Sequence, residues 1–260
     1  MKIYSWNMEF CNKELDRAFE FISHTDFDVF CLQEVPEEFL ERLKTLSCSI
    51  VSASDVTQRF KGITSTAYLA ILSRYPIQNT TVHDLPSHTF LPSTRGRVFS
   101  RFMCIIGLWS RWLGNRHWIE ATISAPELGT IDICCFRLPL MSIKGRAEEF
   151  ETILKAHDRN YPAIICGDFN ILEKPHITTL NWLLGGHLRD MFFYHRERNH
   201  FKKQFVAHKL TNALRGKVTH PFSQSQLDHI LVSNSFSIKN AEVIYDRVGS
   251  DHCPIRAEIF

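Results

Sequence analysis

Five short segments of the sequence place acidic, amide or imidazole side chains where buried strands are expected to end. They are SWNM at 5–8, LQEV at 32–35, CGDFN at 166–170, LDHILVS at 227–233 and SDHCP at 250–254. None of these segments is specific on its own. Together they supply the carboxylates, the amide and the imidazole that a hydrolase needs in order to bind a hard cation and cleave a phosphate ester.

Several of these side chains suit metal binding or proton transfer. Mg²⁺ prefers an octahedral shell of oxygen ligands and keeps several waters, so one or two protein carboxylates can hold it together with a substrate phosphate. Glu34 and Asp251 are the best candidates for this role. Asp168 and Asn170 lie two residues apart on a turn after a strand, where they could direct a base and a hydrogen-bond donor into one cleft.

The last segment adds a histidine, which needs a partner that fixes its tautomer and stabilises its charge. Asp228 could supply that partner for His252. Each feature also has a structural interpretation, because G-D-x-N is a common turn sequence, and a glutamate beside a proline, such as Glu34 near Pro36, suits the start of a helix. The order and spacing of all five segments favour the catalytic interpretation.

Strand and helix patterns are expected to position these residues. Apolar runs such as FDVFCLQEV, TIDICCFRL and AIICGDFN have the length of buried strands, and apolar residues recur with helical spacing at 13–23 and 144–157. Strands dominate and their order is mixed, which favours a sheet-on-sheet core flanked by helices. The sequence contains neither G-x-G-x-x-G nor G-x-x-x-x-G-K-[ST], so dinucleotide-binding and P-loop folds are not expected.

The composition is that of a globular chain with a large core. Its 260 residues are 44% hydrophobic and no linker or repeat divides them, so we expect a single domain over 1–260. The eight cysteines lack C-x-x-C spacing and several lie in apolar runs, which predicts free core thiols. The sequence shows no secretory leader pattern and no apolar run of about 18 residues. We therefore expect a cytoplasmic protein, and a monomer.

In their order, the five segments resemble the endonuclease/exonuclease/phosphatase superfamily. That superfamily includes deoxyribonuclease I, exonuclease III, inositol polyphosphate 5-phosphatases and neutral sphingomyelinases. Typical members carry W-N, L-Q-E, A-I-L-S-R-Y-P-I, G-D-F-N, I-D-Y-I-L-V-S and a terminal S-D-H-x-P. The third of these elements is matched letter for letter by AILSRYPI at 70–77. The similarity runs from Lys2 to Ile255, which is nearly the whole chain.

The resemblance implies a fold and a metal site. The fold is an α/β, four-layer sandwich of the deoxyribonuclease I type, in which two mixed β-sheets pack face to face with flanking helices. The strand ends would build one phosphoesterase site that uses Mg²⁺, with Mn²⁺ as an alternative. The implied metal ligands are Asn7, Glu34 and Asp251.

The resemblance also implies the roles of four catalytic residues. Asp168 would position or deprotonate the attacking water, and Asn170 would contact the scissile phosphate. His252, paired with Asp228, would stabilise charge on the phosphoryl oxygens in the transition state. The predicted reaction is hydrolysis of a phosphodiester or phosphomonoester by an activated water.

One segment departs from the pattern of most relatives. They have N-x-H-L at the end of the strand before the long helix, where the histidine contacts the phosphate or serves as an acid. This chain has CFRL, which places Cys135 and Arg137 at those positions. Arg137 could offer a fork of donors to phosphate oxygens, but a guanidinium cannot transfer protons at neutral pH. We therefore expect Arg137 to act on the substrate phosphate, with a catalytically weakened binding protein as an alternative.

Two basic stretches bear on the choice of substrate. Residues 85–119 contain no acidic residue and interleave arginines with large apolar side chains from 95 to 118. This pattern suits packing on the sandwich, lying on an anionic membrane surface, or stacking on nucleotide bases. Residues 187–220 contain eight Lys or Arg against two acidic residues, which predicts a basic rim near the site.

A polyanionic phosphate ester is therefore the expected substrate, and nucleic acid or a nucleotide is favoured. The alternative is a phospholipid or inositol phosphate at an anionic membrane surface, contacted through residues 95–118.

Overall fold

Two mixed β-sheets form the centre of the computed structural model of this protein. The structure describes residues 1–60, 62–86, 94–106, 111–113, 116–140, 142–157, 161–183, 188–191 and 195–260. The strands in chain order are β1 (Lys2–Asn7), β2 (Val29–Pro36), β3 (Ser49–Phe60), β4 (Ile63–Ser73), β5 (Ile77–Asp84), β6 (Arg111–Leu113), β7 (His117–Ala125), β8 (Gly129–Arg137), β9 (Ala163–Asp168), β10 (Leu210–Asn212), β11 (Asp228–Ser233), β12 (Ile238–Val243) and β13 (Ile255–Ile259).

One sheet has seven strands in the order β12-β13-β1-β2-β4-β3-β6, and the other has six in the order β10-β11-β9-β8-β7-β5. The helices are α1 (Leu15–His24), α2 (Glu37–Leu43), α3 (Thr94–Ile105), α4 (Ile143–Ala156), α5 (Pro175–Leu183) and α6 (His195–Ala207), with a short 3-10 helix at Leu188–Met191. The helices predicted at 13–23 and 144–157 are confirmed as α1 and α4, displaced by one or two residues at their ends.

The two sheets bury a common apolar core between their inner faces. Ile3 and Val29 of the first sheet lie in one cluster with Ile133 and Ile164 of the second, and all four side chains are fully buried. The outer faces carry helices, because a strand buried on both sides needs a second apolar layer. This arrangement confirms the predicted four-layer α/β sandwich.

Each outer layer packs through aromatic side chains. On the second sheet, Phe150 of α4 and Phe201 of α6 pack in one buried cluster with Phe136 of β8. On the first sheet, Ile22 of α1 and Phe39 of α2 belong to another buried cluster, which also includes residues of β2. All eight cysteines are free thiols and five of them are buried, as their place in apolar runs predicted. None of the described helices is long and apolar enough to cross a membrane.

Strand register brings the polar strand ends together. β8 and β9 run parallel with Arg137 opposite Asp168, the last residue of each strand. β11 is antiparallel to β9, and its first residue, Asp228, also lies opposite Asp168. In the other sheet β1 runs parallel to β2, with Asn7 at its end opposite Gln33. Nδ2 of Asn7 donates to Oδ2 of Asp168 at 3.1 Å across the two sheets, so the ends of β1, β8 and β9 and the start of β11 meet at one rim of the sandwich.

Candidate active site

A cleft of about 310 Å³ opens at this rim. Its lining includes six of the eight residues singled out in the sequence, which are Glu34, Arg137, Asp168, Asn170, Asp251 and His252. The other two, Asn7 and Asp228, are buried directly behind it and hydrogen-bond to lining residues. The structure thus brings together all eight side chains, which come from the five polar segments and from CFRL.

A β-bulge aims Glu34 at the cleft. The pairing of β2 with β4 shifts register between Leu32 and Val35, and Glu34 has a positive φ of 55°. A bulge of this kind inserts an extra residue and redirects a side chain away from the regular alternation. Asn170 likewise has a φ of 53°, which asparagine tolerates better than most residues, and this turn directs its amide back to the end of β9.

Asp168 is held by the amides of two asparagines. The Nδ2 of Asn7 lies 3.1 Å from Oδ2 of Asp168 and 3.2 Å from Oε1 of Glu34. The backbone N–H of Asn170 donates to Oδ1 of Asp168 at 2.8 Å, and Asn170 Nδ2 donates both to Oδ2 of Asp168 and to the carbonyl oxygen of Leu138, each at 2.9 Å. Both amide hydrogens of Asn170 are therefore used within the protein, so this amide orients Asp168 rather than pointing a free donor at substrate.

The environment of Asp168 makes it a better base than an exposed aspartate. Its side chain is buried, and burial raises its pKa to about 6, while the positive charge of His252 acts in the opposite direction. The nearby carboxylate of Asp228 adds to the rise. A carboxylate whose pKa lies closer to neutrality accepts a proton from water more readily, which suits a general base.

Asp228 and His252 form a buried pair beside Asp168. Nδ1 of His252 lies 2.8 Å from Oδ2 of Asp228, and neither side chain is appreciably exposed. Burial alone lowers the pKa of His252, but the charges of Asp228 and Asp168 outweigh it and raise that pKa well above its ordinary value. The predicted partnership of these two residues is present, and it keeps the imidazole protonated at neutral pH.

Asp251 lies at the mouth of the cleft, where two groups that the sequence analysis missed contact it. Oδ2 of Asp251 is 3.4 Å from Nε2 of His220, and its backbone N–H donates to Oε2 of Glu9 at 3.1 Å. Burial raises the pKa of Glu9, and the negative charges of Asp251 and Glu34 raise it further. His220 and Glu9 belong to no motif, so only their spatial position reveals them.

The residues at this rim fit a divalent cation. Carboxylate oxygens of Glu9, Glu34 and Asp251 crowd together with like charge, which a cation would offset. Ligand atoms of His220, Asp251 and His252 lie within 4.8 Å of one another, as do those of Asp168, Asp228 and His252. Among the described residues, the buried Oδ1 of Asp228 has no hydrogen-bond donor. Glu34, Asp251 and Asn7 stay predicted ligands. The oxygen of Asn7 that could bind a metal, Oδ1, accepts the backbone N–H of Glu9 at 3.0 Å.

Arg137 is packed into the cleft wall by carboxylates. Its side chain is only 4% exposed, its Nε donates to Oδ2 of Asp55 at 2.5 Å, and its Nη1 lies 3.3 Å from Oε1 of Glu34. Asp55 is fully buried on β3 and also lies 3.6 Å from Nε of Arg116. Burial alone lowers the pKa of Arg137, but these carboxylates raise it more, so the guanidinium stays charged. Its contacts position Glu34, and the predicted contact with phosphate remains a prediction.

Arg137→Met should lower the free energy of unfolding by about 3 kcal/mol, because it leaves the buried carboxylate of Asp55 without its closest cation. This loss is at the lower end of the range for breaking a buried ion pair, because Arg116 stays within reach of Asp55. Urea unfolding monitored by tryptophan fluorescence measures it. The double variant Asp55→Asn/Arg137→Met should recover part of the loss. Equal stability of Arg137→Met and the wild type would show that this pair does not stabilise the fold.

The basic stretch at 187–220 is only partly a surface. Arg198 is buried and donates to Glu173, to His229 and to the backbone oxygen of Gln226, so it is a structural cation. Two other cations of the stretch, Lys202 and Arg215, line a groove of about 550 Å³ together with Lys174, which precedes the stretch. Glu173 and Gln226 also line this groove and lie within three residues of Asn170 and Asp228 in the sequence. Residues 187 and 192–194 of the stretch lie outside the described residues.

The stretch at 95–118 divides into a buried and an exposed part. Arg116 and Trp118 are buried in the sandwich, as the interpretation of packing on the core predicted for this stretch. Arg116 bonds Glu149 through two contacts of 2.6 and 2.7 Å and donates to the backbone oxygen of Arg137. The exposed part is α3. Trp109 and the side chains of 111–113 lie outside the described residues.

These features define the class of protein. The chain matches the Endonuclease/Exonuclease/phosphatase family over residues 4–252. It belongs to that family, whose members are hydrolases of phosphoester bonds and generally use divalent metals. The family and fold predicted from the sequence motifs are thereby confirmed. Comparison with curated protein sequences gives no match.

Solved structures share the fold at low sequence identity. An endonuclease/exonuclease/phosphatase from Beutenbergia cavernae is 16% identical with a TM-score of 0.69, over 100% of this chain and 71% of that one. A mannosyl-6-phosphatase from Bacteroides thetaiotaomicron is 17% identical with a TM-score of 0.63, over 100% and 99% of the two chains. TDP2 from D. rerio, in complex with a single-strand DNA product, is 13% identical with a TM-score of 0.61, over 100% and 98%.

Proposed function

We propose that this chain is a divalent-metal-dependent phosphoesterase that hydrolyses its substrate by attack of an activated water. The observation that carries the proposal is the convergence of eight polar residues, from six distant segments, on one cleft at the rim of the sandwich. The cleft supplies carboxylates and a protonated imidazole, which are the groups that this reaction requires.

In the proposed reaction Asp168 accepts a proton from the attacking water, while the amides of Asn7 and Asn170 hold its carboxylate in place. His252, kept protonated by Asp228, donates hydrogen bonds to the phosphoryl oxygens as negative charge develops on them. Glu34 and Asp251 would hold Mg²⁺ or Mn²⁺. A bound cation of this kind masks phosphate charge and lowers the pKa of a coordinated water.

Hydrolysis should require Mg²⁺ or Mn²⁺ and stop in EDTA. The test uses metal-stripped protein on plasmid DNA, single-stranded DNA, RNA, anionic liposomes and small phosphate mono- and diesters, with Asp168→Asn as the blank.

Glu34→Gln should raise the metal concentration needed for half-maximal rate by about tenfold, because one of the proposed ligands loses its charge. Turnover that persists in EDTA would contradict the proposal. Tight binding of one substrate without any turnover would favour a binding protein instead.

Nucleic acid or a nucleotide is the proposed substrate class. The groove lined by Lys174, Lys202 and Arg215 supports this choice, since its lining residues Glu173 and Gln226 are chain neighbours of Leu172 and Leu227, which line the cleft. Its three cations are suited to bind a phosphate backbone. Among the structures that share the fold, TDP2 from D. rerio is in complex with a single-strand DNA product. The mannosyl-6-phosphatase shows that the fold also accommodates a sugar phosphate in another protein.

Lys202→Gln/Arg215→Gln should raise KM for DNA by about tenfold and make binding less sensitive to salt, because each lost phosphate contact reduces counterion release. Activity on a small phosphodiester should stay unchanged, since such a substrate does not reach the groove. The matched control is Lys44→Gln/Lys239→Gln, which removes two surface charges elsewhere. Equal effects of the two double variants would indicate general electrostatics and not a strand-binding groove.

A phospholipid or inositol phosphate is the second candidate substrate. The observation that favours it is α3, whose large apolar side chains are exposed close to the elements that line the cleft. Release of headgroup from the anionic liposomes in the same assay, without cleavage of nucleic acid, would select this candidate.

A further inference from the structure

The outward face of α3 is apolar and unusually exposed. Val98, Phe102, Ile105 and Ile106 are 65%, 56%, 83% and 47% exposed. Their positions at i, i+4, i+7 and i+8 place them along one stripe of the helix. By contrast Gly96, on the opposite side, is the buried residue of this helix. Phe99 and Met103, on the side of Gly96, are half-buried. Packing on the sandwich was one interpretation of this segment, and the exposure of the stripe excludes it for these four residues only.

α3 is attached to the protein through its first turn. Nε of Arg95 donates to the backbone oxygen of Trp182 at 2.8 Å, and its guanidinium lies 4.3 Å from the centre of the Trp182 ring. Trp182 belongs to α5, whose residues Ile177 and Leu180 line the catalytic cleft. The helix is therefore fixed beside the cleft while its apolar stripe faces outward.

Cations border the stripe. Arg97 and Arg101 are exposed, and on the helical wheel both lie on one side of the stripe. Residues 85–119 contain no acidic side chain that would offset them. Long cationic side chains beside an apolar face can extend their heads to a charged surface while the apolar groups enter a less polar layer.

We propose that α3 docks this protein onto the surface of an anionic phospholipid bilayer, with the helix lying in the interface. Three of the four exposed residues are aliphatic, so they suit insertion among acyl chains and not stacking on bases. The stripe lies on the outer surface of the helix and does not line a groove, as expected for contact with a lipid bilayer. The flanking arginines match the negative charge of such a membrane.

This docking goes beyond the proposed reaction and does not depend on which phosphate ester is cleaved. Because α3 packs on α5, docking would hold the mouth of the cleft close to the lipid surface. Membrane-bound and soluble substrates could both be reached from that position. The test therefore separates binding from turnover.

The experiment is flotation of the full chain with vesicles of phosphatidylcholine alone or with phosphatidylserine. The wild type should bind the mixed vesicles and bind the neutral vesicles weakly. Phe102→Ser/Ile105→Ser should weaken partitioning by about tenfold or more, because it removes two apolar side chains from the stripe. The matched control, Tyr245→Ser, alters an aromatic residue that is 76% exposed elsewhere and should bind as the wild type does.

Charge is tested separately with Arg97→Gln/Arg101→Gln, which should reduce binding to anionic vesicles and its dependence on salt. Each variant is also assayed on a small soluble phosphodiester, where unchanged kcat shows that the fold and the catalytic cleft are intact. Failure of the wild type to bind anionic vesicles, or equal binding by the stripe variant and Tyr245→Ser, would overturn the proposal. The proposal would also be overturned if the wild type formed a dimer and the stripe variant did not. In that case a second copy of the chain, and not a membrane, would cover the stripe.

Discussion

Asp168→Asn should lower kcat by about 10²–10⁴-fold on any substrate that the wild type hydrolyses, with little change in KM. The reason is that an amide cannot accept the proton of the attacking water, whereas the buried carboxylate, with its pKa raised to about 6, is suited to do so. Steady-state kinetics in Mg²⁺ measure the effect. A variant that keeps wild-type kcat would remove Asp168 from the proposed mechanism.

The same variant makes a separate prediction about stability. Since the pKa of Asp168 rises from 3.8 when unfolded to about 6 when folded, the folded wild type holds the extra proton in that interval. Its stability should therefore fall, relative to Asp168→Asn, as the pH rises from about 4 to about 6. Urea unfolding in EDTA at several pH values tests this. The variant should remain folded, with a loss of at most about 1–3 kcal/mol from a hydrogen-bond acceptor.

The matched control for this position is Asp132→Asn. Asp132 is also a buried aspartate of the second sheet, and its Oδ1 accepts a hydrogen bond of 2.7 Å from Thr122, away from the cleft. It should retain wild-type kcat. If both variants lost activity equally, the effect would come from the fold and not from chemistry at Asp168.

His252→Gln should lower kcat by about 10²–10³-fold, because it removes the protonated imidazole that is proposed to stabilise charge on the phosphoryl oxygens. Asp228→Asn should have a smaller effect of the same kind, since the imidazole remains while the charge that raises its pKa is lost. Kinetics on a small phosphodiester separate the two variants from any effect on binding a long substrate.

A loss of activity in His252→Gln has to be separated from a loss of stability. This variant leaves the buried Asp228 without its cation and should destabilise the protein. The double variant Asp228→Asn/His252→Gln removes both charges and should be more stable than His252→Gln, yet as inactive. His24→Gln, at the exposed end of α1, is the matched control and should be fully active. Activity of the double variant near that of the wild type would exclude the pair from catalysis.

The sequence alone determined most of the polar residues that line the cleft. Apolar runs that end in polar residues identify the ends of buried strands, and Asp168, at the end of β9, followed from that pattern. Local spacing suffices here because a strand buried on both faces has to be apolar throughout, so a carboxylate at its end stands out. The pairing of Asp228 with His252 was also foreseeable, since a charged imidazole needs a nearby carboxylate.

Other parts of the site were decided only by the tertiary structure. Asp55 is a single acidic residue within β3, and nothing local distinguishes it from a surface position on that strand. It becomes the buried partner of Arg137 only because the two sheets pack face to face. His220 likewise reaches Asp251 through the folding of a loop. Long-range contacts of this kind depend on how layers stack, which no local pattern specifies.

The two basic stretches also show that local sequence does not determine which side chains are exposed. Composition predicted cations near the site, but it could not tell Arg198, which is buried among hydrogen-bond acceptors, from Lys202, which lines an open groove. The interleaved arginines and apolar side chains of 95–118 left open whether α3 is covered, because that depends on the neighbouring layers. The sequence therefore determined the chemistry at the strand ends, while packing between layers decided which charges and apolar faces remain accessible.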